Sequence, residues 1–295
     1  MDLFANLKAQ FRQGSNLLKL IYINTAVFLF FVILKVVTFL LNAGDIESTI
    51  LGYLAVPAAF DKLILRPWTV FTYMFLHVEF FHLLFNMLWL WWFGKIFVDY
   101  FDQKRLVSVY IMGGLAGALL YIISFNLFPG FSDLIHVSIA LGASAAVMAI
   151  VVATAVYVPD YTVYLLFIGP VKIKWVALII FLMTSLFDFS VNSGGKIAHI
   201  GGALLGYFYS ASYRGGRDIT RGINRFFDSV ATWFKPKPKM KVTYKKPMND
   251  YEYNKTRTDH QEQINRILEK ISKGGYNSLT KEEKEILFKE SQKNN

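Results

Sequence analysis

Long apolar runs separated by short polar breaks dominate the first two thirds of the chain, and the runs are of membrane-crossing length. A 30 Å hydrocarbon core needs about 20 helical residues. Six segments are read as spans: about 20–41, 80–101, 106–127, 137–158, 175–187 and 197–212. The second is rich in Trp and Phe and carries His82 and Asn86; the third has Gly113, Gly114 and Gly117 on its early turns. The fourth holds no charged residue, and the sixth is short and full of Gly and Ala. The fifth is expected to extend backwards through the apolar stretch before Lys172. The pattern predicts an all-α, polytopic membrane protein: an N-terminal segment over 1–19, then a six-helix bundle over 20–212.

After Ser212 the pattern changes. A basic segment over 213–258 follows, and from Arg214 to Lys246 its basic residues face only Asp218 and Asp228 as acids. Ile219, Ile223, Phe226, Phe227, Val230, Trp233 and Phe234 recur there at helical spacing. An amphipathic helix on an anionic inner leaflet has this form; a basic juxtamembrane linker is the alternative. Lys235–Lys239, alternating Lys and Pro, reads as an extended spacer. Over 259–295 the chain predicts a short helical hairpin. Ile264, Ile267, Leu268 and Ile271 form one apolar stripe, Gly274-Gly275 break it, and Thr280 with Glu283 makes a capping box. Two helices this short bury little alone, so the hairpin is expected to pack on a partner that the sequence does not identify.

Charge refines the topology. Lys8, Arg12 and Lys19 precede the first span, Lys104 and Arg105 follow the second, Lys172 and Lys174 follow the fourth, and the basic tail follows the sixth. The alternate loops hold Lys62, Arg66 and Lys196 among Asp45, Glu47, Asp61, Asp133 and Asp188. By the positive-inside rule both termini are cytoplasmic, in the cell (inner) membrane. The net charge of +10 is thereby read as membrane topology, not nucleic-acid binding. The polar first 18 residues show no cleavable signal peptide. With no cysteine, disulfide and thiolate chemistry are excluded. His77, His82 and His199 lack a well-placed carboxylate, so neither metal nor cofactor is expected.

Polar groups inside spans are costly unless paired or facing water, which singles out three clusters. Ser144 lies in Gly142-Ala143-Ser144-Ala145-Ala146, read as about 10 Å down a helix from His136; a lone Ser in such a helix more often bonds back to its own backbone. His199, Gly202, Ala203 and Gly206 share one face of the sixth span, and the glycines admit a close helix approach. Both spans run inward, so Ser144 and His199 fall at comparable depth near the outer face. An imidazole in reach of the hydroxyl can take its proton and return it to a leaving amine. No carboxylate stands nearby to orient it, so the expectation is a dyad. His82 and Asn86 stack one turn apart; the Asn amide suits an oxyanion donor, with the Ser144 N–H beside it, or a plain interhelical hydrogen bond.

The order His82-x-x-x-Asn86, Gly142-x-Ser144 and Ala198-His199-x-x-Gly202-x-x-x-Gly206, on the second, fourth and sixth of six helices, resembles the rhomboid intramembrane serine proteases of bacterial type. The likeness covers about residues 15–212. It implies Ser144 as nucleophile, His199 as base and acid, and His82, Asn86 and the Ser144 N–H as oxyanion donors. It implies that Gly142 keeps space beside the Ser and that His77 supports the outer loops. Substrates would be transmembrane proteins cut near the outer face. Three departures bear on rate. Trp68 is followed by Thr69 where the family has a Trp-Arg pair, which affects loop anchoring; Ala145 replaces a Gly and adds a methyl beside the Ser; Met148 replaces an aromatic that stacks on the catalytic His. The rival readings are an inactive rhomboid-like protein that binds transmembrane helices, and a small transporter or channel. The apolar inner halves of the fourth and sixth spans speak against the channel.

Overall fold

The computed structural model describes residues 11, 14–187, 192–233 and 249–293. Six apolar helices form the body: α1 (Asn16–Leu40), α2 (Phe80–Tyr100), α3 (Gln103–Leu127), α4 (Ser144–Tyr157), α5 (Ile173–Phe181) and α6 (Ser193–Arg214). α5 is prolonged by a π-helical turn, Leu182–Leu186. By length and hydropathy α1, α2 and α3 are each able to cross a membrane, whereas α4 and the α5 segment are apolar but shorter. Side-chain caps mark three starts: Ser15 accepts from Leu18 N, Asp102 from Arg105 N and Asn192 from Gly195 N. The result is a polytopic helical membrane bundle, as the apolar pattern predicts.

α4 is the hub. Ten of its fourteen residues are buried, as expected for a helix apolar on all sides. α6, α3 and α2 pack around it. Small residues let the backbones touch: a Cβ added at Gly202 would lie 2.0 Å from Ala145 O, and one at Gly206 2.3 Å from Ala149 O. Side chains larger than hydrogen at these two positions would drive α6 off α4.

The structure departs from the sequence expectation at two spans. The fourth helix does not begin near 137. Residues Ile139–Ala140 (β2) instead pair antiparallel with Val56–Pro57 (β1), Val56 opposite Ala140 and Pro57 opposite Ile139, and helix starts only at Ser144. Gly142, with φ +126°, takes a conformation that breaks any helix before the serine. Nor is the fifth helix extended backwards. Thr162–Leu165 (β3) and Gly169–Lys172 (β4) form an antiparallel hairpin, because Gly169-Pro170 interrupts the run and its alternation suits strands better than helix.

The loop after α1 is anchored despite the missing Trp-Arg pair. Arg66 donates to Gly52 O and lies over the Tyr53 ring, and Trp68 Nε1 donates to Tyr53 O. Thr72 adds a bond to Leu54 O. These are carbonyls near the end of the short helix Ile46–Leu54, which need donors from outside their own helix.

The predicted amphipathic helix is present as α7 (Arg221–Trp233). It is fastened to the start of α3 by Lys104–Asp228 at 2.9 Å and Ser108–Asn224 at 2.6 Å, while Ile223 and Phe227 pack on the core. Arg105 binds Asp218 at 2.8 Å. The spacer Lys235–Lys239 lies outside the described residues. A second compact unit spans 236–295: α8 (Asp250–Gly274) and α9 (Lys281–Lys293). Its first helix starts nine residues before the expected 259. Ile264, Ile267 and Leu279 are buried in it. The capping box forms, with Thr280 N donating to Glu283 Oε2 at 2.7 Å and Glu283 N to Thr280 Oγ1 at 3.3 Å.

Candidate active site

A cavity of about 590 Å³ opens where the N-terminal ends of α2, α4 and α6 converge. His82, Asn86, Ser144 and His199 all line it, with Phe81, Phe85, Trp89 and Leu141 as apolar wall. Three helix N-termini leave unpaired N–H groups and partial positive charge at one place. Ser144 is the first residue of α4, and the preceding Ala143 makes no side-chain cap. The Ser144 N–H therefore has no intrahelical acceptor. The expectation that Ser144 sits some 10 Å down its helix is corrected: it opens the helix, which is what gives it a free amide beside its own hydroxyl.

The loop that delivers Ser144 is tied down residue by residue. Ala58 N donates to Ser138 O (3.1 Å), Gly142 N to Tyr73 O (2.9 Å) and Ala143 N to His77 Nε2 (3.4 Å). Tyr73 is itself fixed by a 2.6 Å bond from its hydroxyl to Gly114 O. At Gly142 a Cβ would stand 2.8 Å from His82 Cε1, 3.2 Å from His82 Nε2 and 3.7 Å from Ser144 Oγ. The glycine is needed twice over, for its positive φ and for the space that lets the His82 ring approach the serine.

His199 lies two turns into α6 and its Nδ1 meets Thr184 O at 3.1 Å. A carbonyl only accepts, so Nδ1 carries the proton and Nε2 is left as the basic nitrogen. The third member of the constellation is therefore a main-chain carbonyl in the π-helical turn after α5. Residue type gives no signal for it; a helix ending near the cavity, with carbonyls short of amide partners, is the one clue the sequence held. Ser144 and His199 share the cavity but make no direct hydrogen bond among the described residues in this conformation.

The other predicted residues separate into wall and support. Asn86 is buried on the wall, but its Nδ2 donates to His82 O at 2.8 Å and faces His77 Nε2 at 3.5 Å, so its amide hydrogens are engaged. His77 is fully buried beneath, its ring 5.2 Å from that of His82. It braces both Ala143 and Asn86. Met148 is buried in the core and is not among the cavity-lining residues. Gly202 and Gly206 lie on the α4–α6 seam, away from the cavity. The Ala145 methyl does not crowd the serine: Ala145 is buried, and a Cβ at Gly117 of α3 would come within 2.5 Å of its methyl. The extra carbon is housed by a glycine on the neighbouring helix.

A serine and an imidazole in one cavity, at the amide-rich ends of three apolar helices, define a polytopic membrane protein with the parts of a serine hydrolase. Residues 65–215 match the Rhomboid domain, about half of the chain, and the protein belongs to the rhomboid family. That family is in general one of intramembrane serine proteases. Among curated relatives, the chain is 29% identical to "Rhomboid protein 1, mitochondrial" of Saccharomyces cerevisiae, over 54% of this chain and 45% of that protein. It is 30% identical to "RHOMBOID-like protein 12, mitochondrial" of Arabidopsis thaliana, over 52% and 48%. The chain thus matches less than half the length of each. Residues 249–293 match a separate family of unknown function, DUF6576.

Proposed function

We propose that the protein is an intramembrane serine endopeptidase that cuts transmembrane proteins near the outer membrane face. The observation that carries this reading is the shared cavity of Ser144, His82 and His199, with the Nδ1 of His199 held by Thr184 O. In the proposed reaction His199 Nε2 takes the Ser144 hydroxyl proton as Oγ attacks the scissile carbonyl. The oxyanion is met by the Ser144 N–H and the His82 ring, and by Asn86 if its amide turns from His82 O. The tetrahedral intermediate collapses as His199 gives the proton to the leaving amine. Water then attacks the acyl-serine ester, again with His199 as base, and frees the carboxylic acid and Ser144. The apolar wall of Phe81, Phe85 and Trp89 suits a helix that unwinds from lipid.

The distribution of Lys and Arg supports a cell (inner) membrane setting with both termini cytoplasmic. In that orientation the basic residues of α7 would meet the anionic leaflet. The partner of the α8–α9 unit is not identified. The second reading is a rhomboid-like protein that binds transmembrane helices without cutting them; the missing Ser144–His199 hydrogen bond and the engaged Asn86 amide favour it. The deciding test uses purified protein in detergent with a model transmembrane substrate and a fluorophosphonate probe. Cleavage and labelling by the wild type, both lost in Ser144→Ala and cleavage lost in His199→Ala, are expected. Cleavage that survives both substitutions refutes the dyad, and a wild type that neither cuts nor labels leaves the binding reading.

A further inference from the structure

A second cavity, of about 360 Å³, runs along the lipid side of the bundle between α4, α5 and α6. Its walls are Val152, Ala177, Phe181, Ala203 and Leu204, and Lys174 stands at one end. We propose that this groove binds one anionic phospholipid, with an acyl chain along the groove and the phosphate at Lys174 and Arg214.

Dimensions suit one acyl chain. From Lys174 to Phe181 the groove follows seven residues of helix, roughly 10 Å at 1.5 Å each, and an extended hydrocarbon chain is slender enough to lie along it.

Charge selects the headgroup. Lys172 and Lys174 share one carboxylate, Asp160, at 2.8 and 2.9 Å. Hydrogen bonds from Lys172 and then Lys174 pull the Asp160 carboxyl down to about 2, so it remains charged and cancels only one of the two ammoniums. Arg214 donates to Tyr157 O at 2.7 Å, lies over the Tyr157 ring and has no carboxylate partner among the described residues. Two cations with one anion therefore stand at this end of the groove, and Arg214 is held on Tyr157, the residue after the lining Val156.

The same end is marked as a lipid contact by the β3–β4 hairpin. Its tip exposes Leu166, Phe167 and Ile168 at 79%, 97% and 73%. Phe167 is held at φ +68°, a left-handed conformation that a bulky side chain rarely adopts. A large ring kept at a position suited to glycine, and directed outward, is what an apolar anchor at a membrane surface requires. The opposite end of the groove reaches Ile200 and Phe181, next to His199 in sequence and one turn before Thr184. The bound chain would fill the gap between the helix that carries the imidazole and the one that orients it.

The test reads lipid, not proteolysis, so its failure is distinct from failure of the protease reading. Full-length protein is equilibrated in nanodiscs of equal phosphatidylglycerol and phosphatidylcholine, moved to mild detergent, and its retained lipid counted by native mass spectrometry. One phosphatidylglycerol per chain is expected. Lys174→Gln should lower the preference for phosphatidylglycerol about fivefold, the scale of one basic residue near an anionic surface. Ala203→Phe, which fills the groove, should abolish retention of both lipids. Should that variant fail to fold, Leu204→Trp at the more exposed edge replaces it. Retention of the two lipids in the bulk ratio by the wild type, or unchanged retention in the groove-filled variant, overturns the site. An unchanged preference in Lys174→Gln overturns the headgroup assignment.

Discussion

Gly202→Ala puts the α4–α6 seam under the most direct load. The new Cβ would stand 2.0 Å from Ala145 O, 2.8 Å from Ala145 C and 3.1 Å from its Cα. All three are main-chain or Cα atoms inside a buried helix, so no rotamer change relieves the clash. A relaxed C···O contact is about 3.3 Å, so the helices must part locally by about 1.3 Å. Overpacking costs about 1–3 kcal/mol, and a rigid backbone obstacle belongs at the upper end. The gain in helix propensity from Gly to Ala returns about 1 kcal/mol. The net loss is about 2 kcal/mol, which for a domain of this size is a fall of about 4–8 °C in melting temperature.

Position sharpens the effect on activity. Gly202 is one turn from His199, and Ala145 adjoins Ser144, so the parting acts on the proposed nucleophile and the proposed base together. Misplacement of reacting groups by about 1 Å costs on the order of 100-fold in rate. The assay is thermal unfolding in detergent beside cleavage of the model substrate. Gly52→Ala is the internal control: Gly52 is also helical, but nothing lies within 4 Å of its added Cβ, so it should hold or raise the melting temperature. A Gly202→Ala protein that melts and cuts like the wild type would falsify the main-chain contact on which the seam is built.

Three further outcomes are expected. Ala145→Gly should not speed cleavage, because the methyl faces Gly117 and not the serine; it should lower stability by about 1 kcal/mol through the loss of helix propensity, and a clear rise in turnover would show that the methyl does crowd the nucleophile. Burial pushes the Asp218 carboxyl up, but bonds from Thr220 and Arg105 outweigh it and leave it below the ordinary value. Its contribution is thus present above about pH 4, where the unfolded group ionises, and lost as pH falls through the lower folded value; wild type should lose more thermal stability than Asp218→Asn between pH 5 and 3, and parallel curves would refute the linkage. Thr280→Ala removes one arm of the capping box and should cost about 1 kcal/mol, seen as roughly fivefold faster hydrogen exchange in the first turn of α9 in the full chain; unchanged exchange would count against the cap.

Much of this was legible in the residues, and the misses have physical causes. Each of the six apolar runs holds a helix, and three of these helices are long and apolar enough to cross a bilayer. The Gly-x-x-x-Gly pattern of α6 gave the close seam because only hydrogen fits there. The capping box at Thr280 was readable because both partners are local in sequence. The start of α4 was not, since Val137–Leu141 is apolar enough for a span; it is strand pairing with residues 56–57 and the φ of Gly142 that hold it extended. The β3–β4 hairpin was hidden for the same reason. His77 gave a sequence signal but not its work, which depends on Ala143 and Asn86 arriving at its ring from two other segments.

The partner of the imidazole shows most clearly where residue types stop being informative. A search for a carboxylate beside His199 ends in a dyad, yet the ring is oriented all the same, by Thr184 O. The carbonyl fixes the tautomer as an aspartate would, but it brings a dipole where an aspartate brings a full charge. In the proposed reaction it would therefore stabilise the imidazolium less than the buried carboxylate of a triad does. In exchange, no buried carboxylate has to be carried into a membrane, where an ionised group costs several kcal/mol. The orientation also depends on the π-helical turn after α5, a helix that meets α6 across the apolar groove, not through a glycine seam. The helices that carry Ser144 and His199 thus meet by backbone contact, while the carbonyl that aims the imidazole rides on a helix that faces α6 across the groove.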